Sequence, residues 1–76
     1  MNSIESMLWW LDFQLTAKGF TYSIERRPGR WQADAYVYVE LDLHGEGVTL
    51  EHALTELMKS IDKAKAARPQ VFEGHA

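Results

Sequence analysis

The first helix of this chain has two apolar sides, and a lone small domain has room to bury one of them. Residues Asn2 to Lys18 carry helical periodicity. At about 100° per residue, Ile4, Met7, Leu8, Leu11 and Leu15 fall in one stripe roughly 100° wide. That is the core-facing side of an amphipathic helix. Trp9, Trp10, Phe13 and Ala17 fall on the far side, interrupted mainly by Ser6. Fully burying one such aromatic side chain is worth about 1.5–3 kcal/mol, so aromatic area held away from a core points to a partner. Of the three rings, Trp10 lies nearest Met7 on the helical wheel and is the one the chain's own core most readily absorbs.

A chain of 76 residues makes one domain, and at that size only about 60% of the unfolded surface is buried. There is no cysteine, which excludes a disulfide, a thiolate zinc site and a thiol nucleophile. Packing, completed by a second subunit, is left to supply stability. The formal charge of −3 argues against a dedicated nucleic-acid binder, which normally carries a basic stripe. No apolar run approaches the roughly 18 residues of a membrane span. The N-terminal residues lack the basic start and small-residue cleavage site of a signal peptide, so a cytoplasmic, non-membrane protein is expected.

Asn2 with Glu5 forms a capping-box-like start to the first helix, and Gly19 supplies its left-handed stop. Phe20 to Glu25 alternates apolar and polar residues, the pattern of a half-buried strand. Arg27-Pro28-Gly29-Arg30 reads as a turn. A second alternating run then places Trp31, Ala33, Ala35, Val37, Val39, Leu41 and Leu43 on one side, and Gln32, Asp34, Tyr36, Tyr38, Glu40, Asp42 and His44 on the other. Its length fits one long bent strand, or two strands separated by a tight turn or bulge near Val39 to Asp42. After Gly45-Glu46-Gly47, Thr49 caps a second helix through Ala67, with Leu50, Ala53, Leu54, Leu57, Met58, Ile61 and Ala64 on its apolar face. Glu56 stands at pairing distance from Lys59 or Lys63 on the solvated face. The expected fold is therefore α+β, in the order α-β-β-(β)-α. An antiparallel sheet of two or three strands carries both helices on one face. Residues 1–67 form the compact domain and 68–76, beginning Arg68-Pro69, a flexible tail.

The segment Gly47-Val48-Thr49-Leu50-Glu51-His52-Ala53-Leu54 resembles the end of the sheet and start of the helix in HicB-type antitoxin domains, where a strand hairpin leads into a G-x-T-x-x-x-A helix entry. The Tyr22-to-Glu25 and Trp31-to-Leu43 strands fit the same order, so the likeness runs from Phe20 to Ile61. The chain departs from that family in its leading helix. It also has Leu41-Asp42-Leu43-His44 where a proline- and glycine-containing turn is common, and it lacks an appended operator-binding segment. The resemblance implies a fold neighbourhood and a protein-binding habit. If the long run splits, the element order is also that of double-stranded-RNA-binding domains. Those place lysines at the start of the last helix to meet phosphate. Here that start is Thr49-Leu50-Glu51-His52, acidic rather than basic, and shared topology alone is no evidence of function.

Trp9, Trp10 and Phe13 are the leading candidates for a partner-binding site, because tryptophan and other aromatics dominate interface hot spots. Arg27, Arg30 and Trp31, with Arg26, cluster at the first turn. They are candidates for gripping an acidic surface or a phosphate, against the simpler reading of a solvated turn tip. Tyr36 and Tyr38 on the open sheet face are a secondary contact. As a stacking platform for bases they are opposed by Asp34, Glu40 and Asp42 on the same face. His44, Glu46 and His52 flank a glycine turn without the i, i+4 spacing that fixes two imidazoles on one helix face, so no metal is expected. There is no Gly-rich phosphate loop, Ser-His-Asp signature or cysteine, and hence no expectation of an enzyme or a cofactor. The sequence thus predicts a non-enzymatic protein–protein interaction module. It would be a homodimeric small regulator or inhibitor of the antitoxin or bacterial and phage accessory type, with a partner protein of unknown identity. The rival expectation is a nucleic-acid-binding domain using the Arg26, Arg27 and Arg30 turn with the sheet-face tyrosines.

Overall fold

The computed structural model describes residues 3–37, 41–69 and Phe72. Helix α1 spans Ser3–Gln14 and is followed by a 3-10 turn at Thr16–Lys18. Strands β1 (Thr21–Arg27), β2 (Arg30–Val37) and β3 (Leu41–Gly47) come next, then helix α2 (Leu50–Ala67). The strands pair antiparallel in the order β1-β2-β3. The fold is α+β in the order α-β-β-β-α, and of the two alternatives for residues 31–44 it is the two-strand one that forms.

The register explains why the sequence alternation runs through that hairpin without a break. Val37 pairs with Leu41, and Ala35 with Leu43. Paired residues share a sheet face, and each of these pairs joins two odd-numbered residues. Ala35 and Leu43 therefore face the helices from both strands, and no change of phase separates them. Tyr38, Val39 and Glu40 lie outside the described residues. The first hairpin is tighter: Arg27 pairs with Arg30 across Pro28-Gly29, and Gly29 adopts φ 77°.

The end of the first helical region is a backbone motif rather than a simple stop. Gly19 takes φ 84°; its N–H donates to Thr16 O at 3.0 Å, while the Phe20 N–H donates to Leu15 O at 2.9 Å. This 5→2 and 6→1 pair closes a Schellman motif. The last turn tightens to 3-10 geometry, so the continuous helix expected through Lys18 ends as an α-helix at Gln14. Phe20 is drawn under the helix end with Leu15, both buried. The strand expected over Phe20–Glu25 consequently runs from Thr21 to Arg27 instead. The proposed Asn2 cap lies outside the described residues.

Both helices lie on one face of the sheet and run side by side in the same direction. Ser3 at the start of α1 donates to the Glu51 carboxylate at 3.2 Å, and Lys65 near the end of α2 donates to Gln14 Oε1 at 3.0 Å. Leu11, Leu15, Leu54, Leu57 and Ile61 pack with Ala33, Ala35, Val37 and Leu43 in one core. The floor under α2 is made of small residues. Gly45 lies opposite Ala33 in the register and Gly47 opposite Trp31. A Cβ placed on Gly45 would overlap Leu57 N and Ala53 O and stand 2.9 Å from Glu56 C; one on Gly47 would stand 2.8 Å from Ala53 N. Thr49 caps the helix as expected, accepting from the His52 N–H at 3.1 Å. The Ser60 hydroxyl lies 2.9 Å from His44 O on edge strand β3, tying the middle of α2 to the sheet.

Helix α2 ends at Ala67, before Arg68-Pro69. The segment beyond it is not merely the loose tail expected for 68–76. Phe72 is 1% exposed and belongs to the core, its ring meeting Phe20 edge-on at 6.1 Å. A lone aromatic beyond a helix stop has no periodicity to announce its burial.

Gly45→Ala should destabilise the protein by about 1–3 kcal/mol or more, because backbone and not a flexible side chain occupies the space. Phe72→Ala should cost about 3–5 kcal/mol. Urea denaturation of both variants checks this, and an unchanged midpoint for either would refute the corresponding contact.

Candidate functional site

Trp9 is 69% exposed and Phe13 57%. Four residues apart, they sit one turn from each other on α1, with ring centroids at 5.8 Å and planes 15° apart. Trp10, grouped with them from the sequence but expected to be the ring the core most readily absorbs, packs partly buried against the core, as do Ile4, Met7 and Leu8. The outward aromatic feature is therefore a pair, not a trio.

Two acids belong to this face. Glu5 lies one turn before Trp9 and Asp12 immediately precedes Phe13, and both are exposed. The Tyr22 hydroxyl on β1 donates to Asp12 Oδ1 at 2.9 Å, and Thr16 Oγ1 lies at 3.5 Å. Burial, then the hydrogen bond and the negative charge of Asp12, push the Tyr22 phenol up to about 12. Tyr22 thus stays protonated and holds the carboxylate in place. This contact links α1 to β1, and no local sequence pattern announces it, since the two residues meet only when the helix docks.

The basic turn is divided by the pleat of the sheet. Arg26 pairs with Trp31 and Arg27 with Arg30. Successive strand residues point to opposite faces, so these two pairs fall on opposite sides. Arg26 lies over the Trp31 ring at 5.6 Å, on the helix side. On the open side Arg27 pairs with Glu25 at 3.0 Å and Arg30 with Glu46 at 3.5 Å. The cluster seen along the sequence is not assembled as one cationic grip.

The open face carries Tyr36, 52% exposed, between Thr21 and Asp42 in the register. Tyr38 lies outside the described residues. The same face holds a polar network that sequence reading missed. His44 lies directly opposite Asp34. Its Nδ1 is 2.6 Å from Asp34 Oδ1 and its Nε2 2.8 Å from Glu46 Oε1. Only an imidazolium donates from both nitrogens. The bond to Asp34, then that to Glu46, raises the His44 pKa against the opposing effect of burial. Burial pushes the Asp34 carboxyl up, but hydrogen bonds from His44 and Gln32 and the charges of His44 and Arg27 hold it below its ordinary value. Glu46, bonded to His44 and facing Arg30, is also lowered. Seeing this network requires the β2–β3 register, ten residues across a turn the sequence left ambiguous. His52 sits on α2, so His44, Glu46 and His52 do not converge. No group of three His, Cys, Asp or Glu side chains able to hold a metal occurs among the described residues.

No protein family, curated protein or solved structure matches this chain. Among the described residues no helix is long and apolar enough to cross a membrane.

The network gives a signed pH dependence. The His44 contribution is complete below the ordinary histidine pKa of about 6.5 and is lost as pH rises through the higher folded value. Those of Asp34 and Glu46 are complete above their ordinary values and lost as pH falls through the lowered ones. Stability from this network should peak between about pH 4.5 and 6.5 and decline on the alkaline side, modestly, since the groups are largely solvated. His44→Gln should remove the alkaline decline; urea midpoints at about pH 6 and about pH 9 test it, and parallel profiles for the two proteins would contradict the network.

Proposed function

We propose that this protein is a non-enzymatic protein-interaction module, a small regulator or inhibitor that works by holding another protein on the outer face of α1. The stacked, exposed Trp9–Phe13 pair carries this reading. Large aromatic rings left in water lose the stabilisation that burial supplies, and residues of this kind anchor interfaces. An antitoxin-like neutraliser is one form of such a module. The Gly47-to-Leu54 helix entry supports it, although Gly47 and Thr49 each also have a local role here, close helix approach and capping.

The homodimer expected from the sequence fits this face less well than a different protein does. Between Ser3 and Gln14 the charged side chains are Glu5 and Asp12, both acidic, so self-packing through α1 sets like charges along one seam. The nucleic-acid reading draws less support, since Arg27 and Arg30 are paired with acids and Arg26 is stacked on Trp31.

Trp9→Ala and Phe13→Ala should each weaken partner binding by about 1 kcal/mol or more while leaving the fold intact. Wild type and the double variant are compared as baits in an extract of the source cells, with circular dichroism as the fold control and light scattering for mass. Partners retained by wild type and lost by the variant are expected. Identical retention by both would overturn the proposal, and a wild-type dimer broken by Trp9→Ala would put a second copy on the face instead.

A further inference from the structure

The occupant of the α1 face follows from its charge, provided the interaction reading above holds. Glu5 stands one turn before Trp9, Asp12 three residues beyond it and Phe13 four, which lines two exposed carboxylates along one flank of the ring stack. The faces of the rings are themselves electronegative and attract cations. Among the described residues, Lys65 and Arg26 are engaged elsewhere. Lys65 reaches Gln14 at 3.0 Å on the buried side of α1. Arg26 lies over Trp31, four residues along β1 from Tyr22 or roughly 13 Å away, and Lys18 follows the helix end. Tyr22 fixes the Asp12 carboxylate through Oδ1, so one of the two acids is held in position before any partner arrives.

We propose that the Trp9–Phe13 face, flanked by Glu5 and Asp12, binds an amphipathic cationic segment of another protein, one that sets an apolar side chain against the rings and lysine or arginine against the carboxylates. The two exposed rings offer on the order of 300 Å², well short of the about 800 Å² per partner of a standard interface between folded proteins. That area suits a short segment. A second copy brings two more acids and no cation from its own α1, so it supplies neither the charge nor the complementarity.

The test uses two synthetic helical peptides of about 14 residues, one of leucine and lysine and one of leucine and glutamate, each with its leucines on one face. The full chain is titrated with each while backbone amides and indole N–H groups are followed by NMR. The leucine–lysine peptide should shift the Trp9 indole and the α1 amides, weaken steeply as salt rises from about 50 to about 500 mM, and lose affinity about threefold or more with Glu5→Gln combined with Asp12→Asn. Asn at residue 12 keeps an acceptor for Tyr22, so the fold is preserved. The leucine–glutamate peptide should leave Trp9 unmoved. Equal binding of both peptides at Trp9 would overturn the cationic preference and leave the docking face standing. Binding of neither would also overturn it. Shifts confined to the open sheet face, with Trp9 silent, would overturn the docking face itself.

Discussion

Helix α2 lies so close to β3 that its backbone occupies the space a side chain would need at Gly45 and Gly47. Everything else in the fold is arranged around that approach. The neighbouring β2 positions Ala33 and Ala35 are small and fully buried, and Ala53 on the helix is small and fully buried as well. With the helix seated this deeply, Leu54, Leu57 and Ile61 reach the larger residues Val37 and Leu43 and close the core. Interiors packed at crystal-like density transmit such constraints rather than absorb them. The Thr49 cap and the Ser60 contact to His44 O hold the helix at the height the glycines set.

Helix α1 is held differently. It is tethered at its start through Ser3 to Glu51, near its end through Gln14 to Lys65, on its flank through Asp12 to Tyr22, and just beyond it by the Gly19 motif. One apolar stripe and the Trp10 ring go to the core. Trp9 and Phe13 stay outside on a helix that has little freedom left to turn them inward. An aromatic surface already in position loses less entropy when a partner lands on it.

The open sheet face plays another part. Its Asp34–His44–Glu46 network and the Arg30–Glu46 pair knit β2 to β3, and Arg27 pairs with Glu25 within β1. Exposed pairs of this kind are individually weak. Their arrangement matters because it engages Arg27 and Arg30 with carboxylates on this face, while Arg26 lies over Trp31 on the other.

Local periodicity was enough to place the helices, the alternating strands, the Thr49 cap, the Gly19 stop and the exposed Trp9–Phe13 side, because each depends on neighbours within a turn or two along the chain. Tertiary structure decided the rest. The split of the long alternating run left no trace, since its turn preserves the alternation. The division of Arg26, Arg27, Arg30 and Trp31 between two faces, and the meeting of Asp34 with His44, are matters of strand register. The Tyr22–Asp12 contact and the burial of Phe72 arise only when elements far apart in the chain dock and compete for the same space. Residue spacing along the chain specifies which faces are apolar, but not which of two apolar faces finds a neighbour.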